Sequence, residues 1–488
     1  MAKRSQFVLA AVIVLSLFLS ACTAPPPVAA PAAQQEAAPA QQEAAPVPAV
    51  QGEPVGVGGD ATGVKYEMKP SLYGGNPITL QLWDWHTPRV EYWEQKVKDY
   101  TKMYPNVTFE ITQIPGEEYW TKLVAALPAG QGPDIYHFHN SNHTVYIENN
   151  MIEPFPVELF DPGYLKANWI GFEEGHFMDS EGKIRYIPYG SMAALVYVNQ
   201  RMWDEAGLTE ADYPKTWDEM IEIGKKLTKY DAAGNIDIAG MDFNGYIEYL
   251  FNDMNFQQGR YMYTKDGKAC QVDTPEGRNS WNTLQRVYDE KISSPEFLGW
   301  LEAFGTEKTA MTWAWTWFSG YMRSTYPEIG FFTLPMPGFK GTELPSSGRQ
   351  NYEVSLVVSP AKDLERRKVS WDFLHWLYSN DETLVDLALT HDVVPAYKKL
   401  WTNERVQAYQ TIAQLATTIE FKVFPGEFPS TVDSALRQYI GQNFVSGIGI
   451  DQAMTEAQQA CDQAMQEKSY WTVERTYLHN DAMIPNQP

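Results

Sequence analysis

Along the chain, Ile78, Leu80 and Leu82 alternate with polar positions, and that period of two predicts a half-buried strand. Val90, Trp93, Val97, Tyr100 and Tyr104 then recur at helical spacing until Pro105 ends the pattern, and Val107-Thr108-Phe109-Glu110-Ile111 returns to a strand period. A helical crossover of this length joins parallel neighbours. A further helix over roughly Glu117 to Leu127 and a strand over Gly132 to Phe138, behind a Gly-Pro breaker, extend the unit. The class is α/β, and in such sheets ligands sit beyond the carboxyl ends of the strands. That rule brings together two loops, Asp84-Trp85-His86-Thr87 and His139-Asn140-Ser141-Asn142.

Further on, Trp313-Ala314-Trp315-Thr316-Trp317 places three indoles at i, i+2 and i+4, on one face if the segment is extended. An indole suits a core and the C–H face of a sugar ring equally well. Trp313, nearest the strand middle, is expected in the core, whereas Trp315 and Trp317 are expected to face a ligand. Phe318-Ser319-Gly320 behind them reads as a glycine exit toward a helix.

Before the first strand the sequence is of another kind. Lys3 and Arg4 precede a continuous apolar run from Phe7 to Leu19, too short for a comfortable span, and residues 1–21 read as an export signal. The run ends in Leu19-Ser20-Ala21-Cys22, which resembles the lipobox of bacterial lipoproteins and implies lipidation of Cys22. Residues 22–76 are Pro, Ala, Gln, Glu and Gly with a repeated Ala-Gln-Gln-Glu-Ala-Ala-Pro, and are expected to form a disordered tether.

Composition narrows the partners. A chain of 488 residues exceeds a single core, so two domains are expected. The formal net charge of −23, two units more negative without Lys3 and Arg4, repels phosphate backbones and argues against nucleic acid. With 16 Trp and 28 Tyr, the chain is rich in aromatics that call for a use beyond packing or for a very large core.

Asn106-Val107 after a Tyr-Pro helix stop, Leu-Pro-Ala-Gly-Gln-Gly, Pro133-Asp134-Ile135, Tyr186-Ile187-Pro188-Tyr189 and Tyr197-Val198-Asn199 resemble the solute-binding proteins of ABC importers, of the maltose-binding-like carbohydrate type. Ala206-Gly207-Leu208, Pro214-Lys215-Thr216-Trp217-Asp218-Glu219, Lys308-Thr309-Ala310-Met311 and Phe331-Phe332-Thr333-Leu334-Pro335 continue the pattern in order. Thr216 with Glu219 is also a capping box in its own right. The resemblance runs from about Pro77 to Glu467. It implies a two-lobed, type II periplasmic-binding-protein-like fold, each lobe a mainly parallel sheet flanked by helices and joined by a multi-strand hinge. The first lobe would comprise 77–190 and 354–392, the second 191–353 and 393–488, with crossings near Ser191 to Leu195, Tyr352 to Leu356 and Val393 to Ala396. The implied ligand set is Asp84, Trp85, His86, Phe138, His139, Asn140, Ser141, Ser191, Met192, Phe243, Asn244, Tyr246, Trp315, Trp317, Tyr352 and Phe428. Gln257-Gln258 stand where the family commonly has two glycines, which loosens the match around 244–260.

The implied function is that of a lipid-anchored monomeric receptor that takes a carbohydrate, a disaccharide or oligosaccharide, and passes it to ABC permease subunits. It needs no catalytic residue, cofactor or metal. The alternatives are a non-sugar solute such as a metal or peptide on the same fold, and a secreted glycosidase. His137, His139 and His143 form H-x-H-x-x-x-H, but no nearby Cys or spaced carboxylate completes a zinc set. Ser359-Pro360-Ala361-Lys362 matches S-x-x-K without its partner motifs and reads as a helix N-cap. Asp231 to Asp237 has the wrong acidic spacing for a calcium loop and reads as a turn. Cys270 and Cys461 could pair in an exported protein, yet two distant cysteines read first as buried thiols.

Overall fold

A computed structural model describes residues 59–467 except 86, 140–145, 147–148, 173–176, 179–180, 265–268, 342–347, 355, 420–421 and 423–429. Cys22, His86, Asn140, Ser141, His143 and Phe428 therefore lie outside the described residues. The chain divides into two units, Met1–Ala49 and Val50–Pro488, and all described residues belong to the second.

The first sheet has the order β10-β3-β1-β2, built from β1 (Ile78–Asp84), β2 (Val107–Gln113), β3 (Ile135–His137) and β10 (Leu356–Val358). Ile78, Leu80 and Leu82 are buried, as the alternation requires, and β1 runs parallel to β2 and β3. The Thr87–Met103 and Gly116–Ala126 helices make the two crossovers. The second sheet centres on β4 (Pro188–Asn199), with β7 (Met311–Trp315), β8 (Phe331–Leu334), β9 (Gln350–Val354) and β11 (Val394–Pro395) all antiparallel to it. Among the described residues, the parallel pairing expected for the second lobe appears as isolated bridges, Thr216 with Gly338, Ala239 with Thr309 and Asp242 with Thr312. A small hairpin, β5 (Lys229–Tyr230) with β6 (Ile236–Ile238), completes the strands, and Asp231 turns it by accepting from the Ala233 and Asn235 amides.

Apolar packing forms two cores, and β4 is the seam between them. All twelve of its residues are buried. Ala193, Leu195 and Tyr197 enter the first core while Ala194, Val196 and Val198 enter the second, as alternate side chains of one strand must. The first core takes up residues 393–419 as well. Tyr397 stacks on Trp169 at 5.6 Å and Arg405 pairs with Asp386 at 2.7 Å, while Ser319 donates to Thr411 at 2.9 Å and Arg323 lies over Tyr409 at 5.1 Å, so this stretch touches both lobes. The second core takes in Val432 and the helices that follow it.

The folded body also starts earlier than composition suggests. Ala61, Tyr66 and Leu72 are buried in the first core, although the tether was expected to reach residue 76. Sparse apolar residues suffice here because polar groups do the docking. Tyr66 donates to Asp372 at 3.0 Å, Lys69 pairs with the same carboxylate at 2.8 Å, and the Trp169 indole donates to the Ala61 carbonyl at 2.7 Å. Gly59 passes so near Ser379 that a Cβ would lie 1.7 Å from its carbonyl oxygen.

Three local expectations change. Thr316 has φ −57° and ψ −27°, so the strand stops at Trp315 and Trp317 opens the Trp317–Thr325 helix, with Gly320 inside it. The three indoles therefore do not share a strand face. Ser359 accepts from the Ala361 amide in a turn, and the helix that follows is capped by Asp363 instead. Cys270 and Cys461 are joined in a disulfide across 191 residues, with Cα atoms 5.9 Å apart. The capping box of Thr216 and Glu219 is formed, both reciprocal bonds being present.

Candidate functional site

At the carboxyl end of β1, Asp84 is fully buried. Arg89 lies 3.2 Å away, the Trp93 indole donates at 2.7 Å and the Trp85 amide at 2.6 Å. The expected ligand acceptor is thus the anchor of its own loop. Its effect is to hold Trp85, which stays half-buried, beneath Arg89 at 4.7 Å and donates to His137 Nδ1 at 3.1 Å. Trp120, from the Gly116–Ala126 helix, stands 6.1 Å from Trp85 and 6.3 Å from His139. Trp85, Trp120 and His139 make the first wall. Burial lowers the His139 pKa, opposed by Glu353 and reinforced by Arg89 and Arg349.

The floor is the hinge. Ser191 donates to the Gln350 side chain at 3.0 Å, and Gln350 donates to the Tyr352 hydroxyl at 2.9 Å. Arg89 approaches Glu353 at 3.8 Å. Ser191, Met192 and Tyr352 are all buried, so they hold the strands together rather than present themselves.

The second wall is aromatic. Tyr246 precedes the Ile247–Gln257 helix in a left-handed conformation (φ 55°, ψ 39°) that non-glycine residues seldom adopt, and is 45% exposed. Its ring lies 5.6 Å from Tyr249, which lies 5.9 Å from Trp315. Arg349 covers Tyr249 at 5.1 Å and Trp315 at 5.9 Å, and Arg437 covers Tyr246 at 5.5 Å. Arg437 sits in a π-helical turn, Arg437–Gln442, and approaches Glu248 at 3.6 Å. Asp253 accepts from the Arg349 amide at 2.6 Å; burial pushes its pKa up to about 7 and brings Lys422 down to about 8. Among the described residues, the cations Arg89, Arg349, Lys422 and Arg437 each lie near a carboxyl group of Asp84, Glu353, Asp253 or Glu248.

Other expected contacts are placed elsewhere. Phe138 is packed with Tyr146 and Tyr186 in the first core, and Phe243 stacks on Tyr288 at 5.8 Å in the second. Asn244 spends its amide on the Ser294 carbonyl (2.8 Å) and the Tyr288 hydroxyl. Trp313 is core, 3% exposed, and Trp317 is half-buried against the first core. Trp120, Tyr249, Arg89, Arg349, Glu353 and Arg437 were not anticipated. Tyr249 alone had a signal, its i+3 spacing from Tyr246 at a helix start. A cavity of about 190 Å³ lined by Leu127, Asn149, Asn150, Met151 and Ser359 lies at the opposite, amino-terminal edge of β3. Among the described residues no three His, Cys, Asp or Glu are grouped to hold a metal.

A parallel sheet with facing loops, a seam strand shared by two cores and an aromatic wall across it define a two-lobed binding protein. The chain belongs to the bacterial extracellular solute-binding protein family, whose model matches residues 95–414. It is similar to the maltotriose-binding protein of Pyrococcus abyssi, at 20% identity over 327 residues, 66% of this chain and 68% of that one. It is also similar to the sn-glycerol-3-phosphate-binding periplasmic protein of Agrobacterium fabrum, at 29% identity over 113 residues, 22% of this chain and 26% of that one. Among solved structures, the cyclic alpha-maltosyl-1,6-maltose binding protein of Arthrobacter globiformis superposes with a TM-score of 0.66 at 18% identity, covering 80% of this chain and 100% of that chain. A cyclo/maltodextrin-binding protein complexed with maltotetraose gives 0.65 at 15%, covering 82% and 99%. The two structures establish the shared fold.

Among the described residues no helix is long and apolar enough to cross a membrane.

Proposed function

We propose that this solute-binding protein captures a neutral carbohydrate, a disaccharide or oligosaccharide, and delivers it to an ABC importer without chemical turnover. The observation that carries this reading is the strip Tyr246, Tyr249 and Trp315 edged by Arg349 and Arg437. Aromatic faces take the apolar side of a pyranose, and guanidinium groups donate to its hydroxyls. The relatives named for maltotriose and maltosyl ligands support it. The relative named for glycerol-3-phosphate raises a phosphorylated solute as the second reading, but a phosphate needs cationic charge that is not already matched, and these described cations each lie near a carboxyl group. A glycosidase is less favoured because Asp84 and Glu353 are engaged with Arg89.

Binding would proceed by hinge closure. The ligand stacks on the second wall, Trp85 and His139 meet it from the first, and the closed form is selected by that added affinity. Calorimetry and thermal shift with a malto-oligosaccharide series, alongside glycerol-3-phosphate, decide between the readings. A sugar at 100 times its Kd raises stability by about 2.7 kcal/mol. Release of free glucose or shortened chains would rule out the receptor. Small-angle scattering on residues 59–488 should show contraction on sugar addition.

We assign the anchor to Cys22. Replacement Cys22→Ser should release the protein from membranes, since the Pro/Ala/Gln-rich segment offers little apolar surface of its own. Retention of that variant after a salt wash would place the anchor elsewhere.

A further inference from the structure

The Ile247–Gln257 helix behind the aromatic wall buries an unusual row of polar side chains: Glu248, Asn252, Asp253, Asn255 and Gln257 are each no more than 3% exposed. Most have partners. Asn255 accepts from Ser280 at 2.8 Å, Gln257 accepts from the Trp217 indole at 2.8 Å and Asp253 from the Arg349 amide at 2.6 Å. Asn252 is different: it is 1% exposed, and among the described residues neither its Oδ1 nor its Nδ2 has a hydrogen-bond partner. Leaving a buried amide unpaired costs more than any one hydrogen bond returns, so a buried Asn needs a partner in some state of the molecule.

Its position says which. Glu248 and Tyr249 are its i−4 and i−3 neighbours, so the three share a helix face, and side chains on a helix lean toward the preceding turn. Asn252 therefore leans toward the turn that carries Tyr249 in the aromatic strip and Glu248 beside Arg437. We propose that Asn252 is a specificity-determining residue of the binding site, its amide exchanging a pair of hydrogen bonds with hydroxyls of the bound sugar. A rotamer change of Tyr249 on binding opens the way to it. This rests on the carbohydrate reading above.

The test uses maltotriose as probe and two substitutions, Asn252→Leu and Asn252→Ala, each measured for melting without sugar and for Kd by calorimetry. Leu matches Asn in size and brings no polar atom to satisfy. Asn252→Leu should melt at or above wild type and bind maltotriose at least tenfold more weakly. Affinity within twofold of wild type in either variant overturns the inference while leaving the carbohydrate reading intact. If Asn252→Leu fails to fold, Asn252→Ala decides: tenfold weaker binding supports the assignment, and unchanged binding removes it. If wild type binds none of the malto-oligosaccharides, the carbohydrate reading fails first and this inference with it.

Discussion

The two walls of the site are built in opposite ways. The first spends its described polar groups on itself, with Asp84 held by Arg89, Trp93 and its own loop amide, and Trp85, Trp120 and His139 half-buried beside it. The second leaves its aromatic faces to guanidinium groups that an incoming ligand can share, and Tyr246 is exposed in a strained backbone conformation. A locked wall and a presented wall suit a receptor in which one lobe supplies a fixed edge and the other makes the main contact.

Breaking the lock should have the largest effect. Asp84 and Arg89 are both buried, and removing one partner of a buried pair costs roughly 3–5 kcal/mol. Arg89→Met should lower the denaturation midpoint accordingly. A midpoint equal to wild type would mean that the first wall is not held by this pair.

Two indoles of one strand sharpen the contrast. Trp313→Ala empties a site in the second core and should cost about 3–5 kcal/mol of stability, with binding by the folded fraction little changed. Trp315→Ala should cost less stability but weaken binding of maltotriose by about thirtyfold, near 2 kcal/mol. Equal losses of affinity in the two variants would erase the distinction between core and wall.

The smallest effect concerns pH. Asp242, beneath the second wall, is buried and donated to by Ser293 at 3.0 Å, and burial pushes its pKa up to about 7. A folded pKa above the unfolded value of 3.8 means its favourable contribution is complete below about pH 4 and is lost as pH rises through 7. Asp242→Asn should therefore flatten the stability profile over that window and melt above wild type at pH 8. Parallel profiles for variant and wild type would assign the slope to other groups.

Periodicity in the sequence was enough for the first sheet. The alternation at Ile78 to Leu82, the stripe from Val90 to Tyr104 and the second run at Val107 each report a local face, and local faces imply the parallel order of β1 and β2. The Thr216 cap was legible for the same reason, since both partners lie within one turn. Trp315 and Tyr246 could be selected as site aromatics because both sit where a strand ends or a helix begins.

What only the tertiary structure decided are pairings between residues distant in the chain. That Arg89 would meet the hinge carboxylate Glu353 depends on how the Thr87–Met103 helix and β9 come together, and no local pattern encodes that. The same holds for Arg349 covering Tyr249 and Arg437 covering Tyr246, for Cys270 meeting Cys461, and for residues 59–76 docking through Asp372. A side chain's type and spacing fix which face it joins, because burial of apolar surface is a property of the local segment. Which polar group it then satisfies is fixed by long-range geometry, because a hydrogen bond needs its partner within about 3 Å.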